Sequence, residues 1–203
     1  VQAQGVSGIG VYARARRLLR MWCHTNAENQ MDTVENVAAF MKDRNLVLAS
    51  AESCTGGLIA ALLADVPGAG SVLECAYVVY SPKAKQRLLG VSTKTLEEHN
   101  LTSEPVAIEM AVGAVSRSDA NVAVSNTGLA DDTDDEIPAG TQCFAWAFQP
   151  DDDDEPVVFA ETKRFHGDRT EIRTQAAQYA LSRIPHYFHQ LPEEARPDER
   201  PTD

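Results

Sequence analysis

The chain predicts a mixed α/β fold, with one mostly parallel five-stranded sheet and helices on both of its faces. Three observations carry that expectation. Two early apolar runs, residues 46–50 and 71–80, each lead into a helical pattern, as βα units do. Later, Cys143, Ala145 and Ala147 alternate with Phe144, Trp146 and Phe148, the period of two of a strand. Residues 157–162 then follow across the acidic run 151–155, so the two segments form a hairpin ahead of a closing helix.

Each element has a local reason. Val34, Val37, Ala38 and Met41 share one helical face, Asp32 and Glu35 have capping-box spacing, and this first helix ends near Arg44. The run 46–50 reads as a buried strand. It enters Glu52-Ser53-Cys54-Thr55-Gly56-Gly57 and then a helix over 58–63, which Pro67 and Gly68 stop. After the Val- and Tyr-rich second strand, Ser81-Pro82 starts a short helix with Gly90 just past its end. Ser92 and Ser103 have the character of N-caps, the second opening a helix with Ile108, Ala111, Val112 and Val115 on its apolar face. A third strand spans 121–126. Asp168 and Glu171 again form a capping box, ahead of a helix through Ile172, Ala176, Tyr179 and Ala180 that Pro185 should end.

Composition limits what such a fold can do. The chain has 203 residues, 43% of them hydrophobic, enough for one ordinary core. The expected organisation is an extension over residues 1–30, carrying Arg14, Arg16, Arg17 and Arg20, one domain over 31–190, and a disordered charged tail over 191–203. The apolar stretches break well before the ~20 residues that span a bilayer, so no membrane partner and a cytoplasmic location are expected. Cys23, Cys54, Cys75 and Cys143 are widely spaced, with no C-x-x-C pair to bind a metal or cycle a disulfide. A formal net charge of −12 disfavours nucleic-acid backbones. The run 131–136 lacks the glycine and glutamate spacing of a calcium loop and reads as a solvated charge run.

The segment 52–57 is the most informative for chemistry. A hydroxyl at a strand-to-helix turn, backed by two glycines, can approach a ligand closely while amides point at it. That pattern by itself also describes a plain helix cap. A nucleophilic serine needs a base, and none of His24, His99, His166, His186 and His189 lies in a triad context, although His166 stands close to Asp168 and Arg169. A partly desolvated lysine is the alternative, and Lys83 and Lys85 both follow Tyr80 at the exit of the second strand.

Taken together, these residues resemble the CinA C-terminal domain family. The resemblance runs through 51–57, 66–69, 78–81 with Lys85, Leu89, Gly90 and Val91, then 103–107, 127–130, 138–141 and 165–173, covering roughly 32–188. The family includes the nicotinamide-nucleotide amidases (PncC-type), which convert nicotinamide mononucleotide to nicotinic acid mononucleotide and ammonia without a metal or other cofactor. The resemblance implies a three-layer α/β/α sandwich, a small-molecule nucleotide substrate and a homo-oligomer, in the first instance a dimer. It implies Ser53 as nucleophile, Lys85 as base and Tyr80 beside them to relay or orient the proton. Thr55, Gly56, Gly57, Thr127 and Gly128 would border the substrate, and Arg169 and Arg173 would meet its phosphate.

Three segments depart from the family pattern. The glycine-rich continuation after Ala130 is replaced by Asp131-Asp132-Thr133-Asp134-Asp135-Glu136, Asn100-Leu101-Thr102 stands before Ser103, and Cys75-Ala76 replaces paired glycines. Carboxylates near a phosphate site repel it within a Debye length of ~8 Å. Two other readings therefore accompany the amidase: an amidase with a different substrate, and a catalytically silent relative serving as a binding or scaffold domain.

Overall fold

A computed structural model describes residues 33–132, 136–150 and 155–197. The extension, the hairpin tip 151–154, Cys23, Asp32 and the end of the tail lie outside the described residues. Helix α1 (Val34–Asp43) leads to β1 (Leu48–Glu52), α2 (Leu58–Ala64) and β2 (Leu73–Val78). Next come the short α3 (Pro82–Ala84), a π-helical turn (Lys85–Leu89), α4 (Thr93–Glu98), α5 (Glu104–Val115) and β3 (Val122–Gly128). The hairpin β4 (Thr141–Phe148) and β5 (Val157–Arg164) precedes α6 (Arg169–Ser182) and α7 (Ile184–Phe188).

The five strands form one sheet in the order β2-β1-β3-β4-β5. β1 pairs in parallel with β2 and β3, whereas β3–β4 and β4–β5 are antiparallel. Four strands therefore run one way and β4 alone is reversed, which is the mixed, mostly parallel sheet expected. The carboxyl ends of β2, β1, β3 and β5 lie at one end of the sheet, and a crevice there is where open α/β sheets bind ligands.

Side-chain size separates the two faces. Leu48, Val122, Val124, Phe144, Trp146 and Phe148 belong to the core shared with α1, α2, α6 and α7. Ala49, Ala51, Ala123, Ala145 and Ala147 belong to the opposite core, which includes Val106, Ala107, Met110, Ala111 and Ala114 of α5. The period of two read in β4 thus separates a bulky face from a small one. On the small face α5 packs so closely that a Cβ on Gly113 would lie 1.9 Å from the Leu89 carbonyl oxygen.

Several boundaries differ from expectation, each for a local reason. Thr33 caps α1, its Oγ1 accepting from the Asn36 amide at 3.3 Å. β1 runs on through Ser50 to Glu52 because both side chains are satisfied inside the fold, with Ser50 Oγ donating to Glu52 Oε1 at 2.9 Å. Ser103 occupies the N-cap position of α5, but its buried hydroxyl has no partner among the described residues. Asp168 and Glu171 form the expected capping box, and Pro185 falls in the first turn of the separate α7. No helix among the described residues is long and apolar enough to cross a membrane.

Candidate active site

The strand ladders continue past the end of β1 and hold Ser53 between its neighbours. The Val79 amide donates to the Glu52 carbonyl at 2.8 Å, and the Ser53 amide donates to the Asn126 carbonyl at 2.9 Å. Gly56 and Gly57 take positive φ angles of 62° and 101°, which lets the chain turn sharply from β1 into α2.

Glu52 is fully buried and its carboxylate anchors this turn. Oε2 accepts from the amides of Gly57 (2.8 Å) and Ile59 (3.1 Å), and Oε1 accepts from that of Ala60 (3.0 Å). The negative charge also faces the positive end of the helix dipole. The amino end of α2, whose amides were expected to point at a ligand, is therefore occupied by the protein's own carboxylate.

A second group of side chains braces the turn from below. Asn126 Oδ1 accepts from the Thr55 amide at 3.1 Å while its Nδ2 donates to Gln142 Oε1 at 3.0 Å. Gln142 Nε2 donates in turn to the Leu129 carbonyl at 3.0 Å. Gly128 makes room for this pair, since a Cβ there would lie 2.3 Å from Gln142 Oε1. Glu52, Asn126 and Gln142 were not assigned a role from sequence. Their signal was present: each is a long polar residue inside a largely buried strand, and such groups must be hydrogen-bonded.

Lys85 lies within the π-helical turn, is 1% exposed, and donates from Nζ to Ser53 Oγ at 2.8 Å and to the Val79 carbonyl at 2.9 Å. Burial lowers its pKa to about 8 from the usual lysine value. Ser53 itself is 8% exposed. A hydroxyl in contact with a readily deprotonated amine is an arrangement in which a proton can pass between the two.

The other expected site residues divide between this dyad and its supports. Tyr80 is 61% exposed, and its hydroxyl accepts from Arg169 Nη2 at 3.0 Å instead of joining Lys85 and Ser53. Arg169 Nη1 is also paired with the Asp131 carboxylate. Arg173 braces the turn: its Nε donates to the Cys54 carbonyl at 2.9 Å and its Nη2 to the Thr55 carbonyl at 2.8 Å. Thr127 Oγ1 donates to the Leu101 carbonyl at 2.8 Å, while the buried Thr55 hydroxyl has no partner among the described residues. Within the turn, the amides of Cys54 and Gly56 have no acceptor among the described residues, unlike those of Ser53, Thr55 and Gly57. Among those residues no group of three or more His, Cys, Asp or Glu side chains could hold a metal ion.

The family model of the CinA C-terminal domain matches residues 30–188. The chain belongs to that family. Among CinA relatives, the nicotinamide-nucleotide amidohydrolase PncC of Escherichia coli K12 is 39% identical over 162 residues, 79% of this chain and 95% of that protein. A CinA-like protein of Chlorobaculum tepidum is 42% identical over 159 residues, 76% of this chain but only 37% of that longer protein. Crystal structures agree on the fold. The competence/damage inducible protein CihA of Agrobacterium tumefaciens superposes with a TM-score of 0.69 at 33% identity, covering 76% of this chain and 95% of that one. A CinA superfamily protein of Klebsiella pneumoniae reaches 0.72 at 30% identity, covering 78% and 97%.

Proposed function

We propose that this CinA domain is a serine amidohydrolase that deamidates nicotinamide mononucleotide, or a close amide relative, to the acid and ammonia. The observation that carries the reading is the 2.8 Å contact between Ser53 Oγ and the buried Lys85 Nζ. A binding or scaffold domain has no need of a lysine held out of water against a serine hydroxyl at an energetic cost. The E. coli relative named as a nicotinamide-nucleotide amidohydrolase supports the substrate class.

In this mechanism neutral Lys85 takes the Ser53 proton as Oγ attacks the carboxamide carbon. The Val79 carbonyl holds Nζ in line by accepting one of its hydrogens. The amides of Cys54 and Gly56 are the donors in the turn still available to the oxyanion, and such a donor contributes about 3 kcal/mol to the transition state. The Lys85 ammonium then protonates the departing nitrogen, ammonia leaves, and water activated by neutral Lys85 cleaves the acyl-enzyme ester. Carbon–nitrogen cleavage is thus balanced by one water and needs no redox partner.

The test is ammonia release from nicotinamide mononucleotide by the purified chain, beside Ser53→Ala and Lys85→Ala. Turnover should fall by a factor of about 10³ or more in each variant. Full turnover in Ser53→Ala, or no release by the unmodified protein, would defeat the reading.

A further inference from the structure

We propose that Asp131 is a specificity-determining residue: its carboxylate occupies Arg169 and competes there with the phosphate of a phosphorylated substrate. The inference rests on the amidase reading for the location of the site and extends it to substrate class.

The arrangement is assembled from three separate connections. Asp131 follows β3, Tyr80 follows β2, and Arg169 opens α6 after β5, so all three leave the sheet at the same end as Ser53. Arg169 donates to the Tyr80 hydroxyl from Nη2 and meets the Asp131 carboxylate through Nη1. Both members of the ion pair are near half exposed, their side chains at 48% and 45%. Both also act electrostatically on the Cys54 thiol beside Ser53, Arg169 lowering its pKa and Asp131 raising it, against a larger rise from burial.

Two physical points follow. Arg173 has its guanidinium committed to the Cys54 and Thr55 carbonyls, whereas Arg169 is solvent-accessible and sits at the positive end of a fourteen-residue helix. Arg169 is therefore the cation that a substrate anion would engage at this end of the turn, and Asp131 already neutralises it. A phosphate must displace Asp131 or bind against its charge, while an amide with an uncharged distal end meets neither obstacle. Because a half-exposed ion pair exchanges at little cost, Asp131 lowers phosphate affinity without abolishing it.

The test separates binding from turnover. In a Ser53→Ala background, which prevents hydrolysis, calorimetry would measure nicotinamide mononucleotide and its phosphate-free nucleoside, nicotinamide riboside, with and without Asp131→Asn. The isosteric change should tighten the mononucleotide by up to about fivefold, as expected for freeing one surface ion pair, and leave the riboside unchanged. Adding Arg169→Gln should remove the gain. Equal affinities with and without Asp131, an equal gain for both ligands, a gain that survives Arg169→Gln, or no binding by any variant would overturn the proposal. Turnover is the independent arm. A binding gain without ammonia release by any Ser53-containing form would sink the amidase reading and leave Asp131 in its role, whereas release with kcat/KM unmoved by Asp131→Asn would do the reverse.

Discussion

Lys85 combines two properties that rarely occur together, a charged side chain and 1% exposure. Removal from water disfavours its ammonium form, and the resulting pKa of about 8 puts the change of state within the working range of an enzyme. In the proposed mechanism the neutral amine is the base, so kcat/KM should rise with pH, tenfold per unit below the pKa, and level off above about 8. A pH–rate profile from 6 to 10 checks this, and a flat profile would separate Lys85 from the proton transfer. A Lys85→Arg replacement should not restore the rate, because arginine stays protonated across that range. Stability carries the same signature. The unfolded lysine binds its proton more tightly than the folded one, so this group adds stability as pH rises between about 8 and the ordinary lysine value near 10.4.

At the scale of elements, the connection from β1 to α2 is held by hydrogen bonds instead of by hydrophobic contact alone. Three amides at the start of α2 and one serine hydroxyl converge on the Glu52 carboxylate. Glu52→Gln keeps the shape but replaces one oxygen with a donor that cannot accept from those amides. Unfolding should show a loss of about 2 kcal/mol, typical of a buried donor left without its partner. The accompanying kinetic expectation is a lower kcat with little change in KM, because the displaced turn carries Ser53 and the amides of Cys54 and Gly56. Unaltered kcat would mean that Ser53 is positioned independently of the carboxylate.

Across the whole molecule, the unequal faces of the sheet set where Lys85 stands. Small residues on β1, β3 and β4 let α5 lie close, and Gly113 on α5 then meets the Leu89 carbonyl at the end of the turn that begins with Lys85. The distance between layers is thus coupled to the position of Nζ. Gly113→Ala should force these elements apart, costing about 1–3 kcal/mol as overpacking does, and should lower kcat despite lying in the opposite layer from Ser53's helix. Thermal unfolding and turnover measured on the same preparation would check both effects; loss of stability with full kcat would uncouple layer spacing from the dyad.

How much of this could be read in advance depends on the range of the interaction responsible. The period of two in β4, the capping box at Asp168 and Glu171, and the Gly56-Gly57 turn are local patterns, written by side-chain alternation and by backbone freedom over a few residues. They determined the α/β class and directed attention to Ser53. The linked motifs added Lys85 through family resemblance, since thirty-two residues separate it from its serine. Partner choice among long polar side chains was decided only by the tertiary structure. Arg173 lies against the nucleophile turn, Tyr80 turns to Arg169, and Asp131 reaches the same guanidinium from a connection thirty-eight residues away. Spacing in sequence cannot rank such partners, because a guanidinium or carboxylate is satisfied by whichever complementary group the packed layers bring within about 3 Å. Likewise, a buried amine titrates near 8 only once the packed fold has excluded water from it.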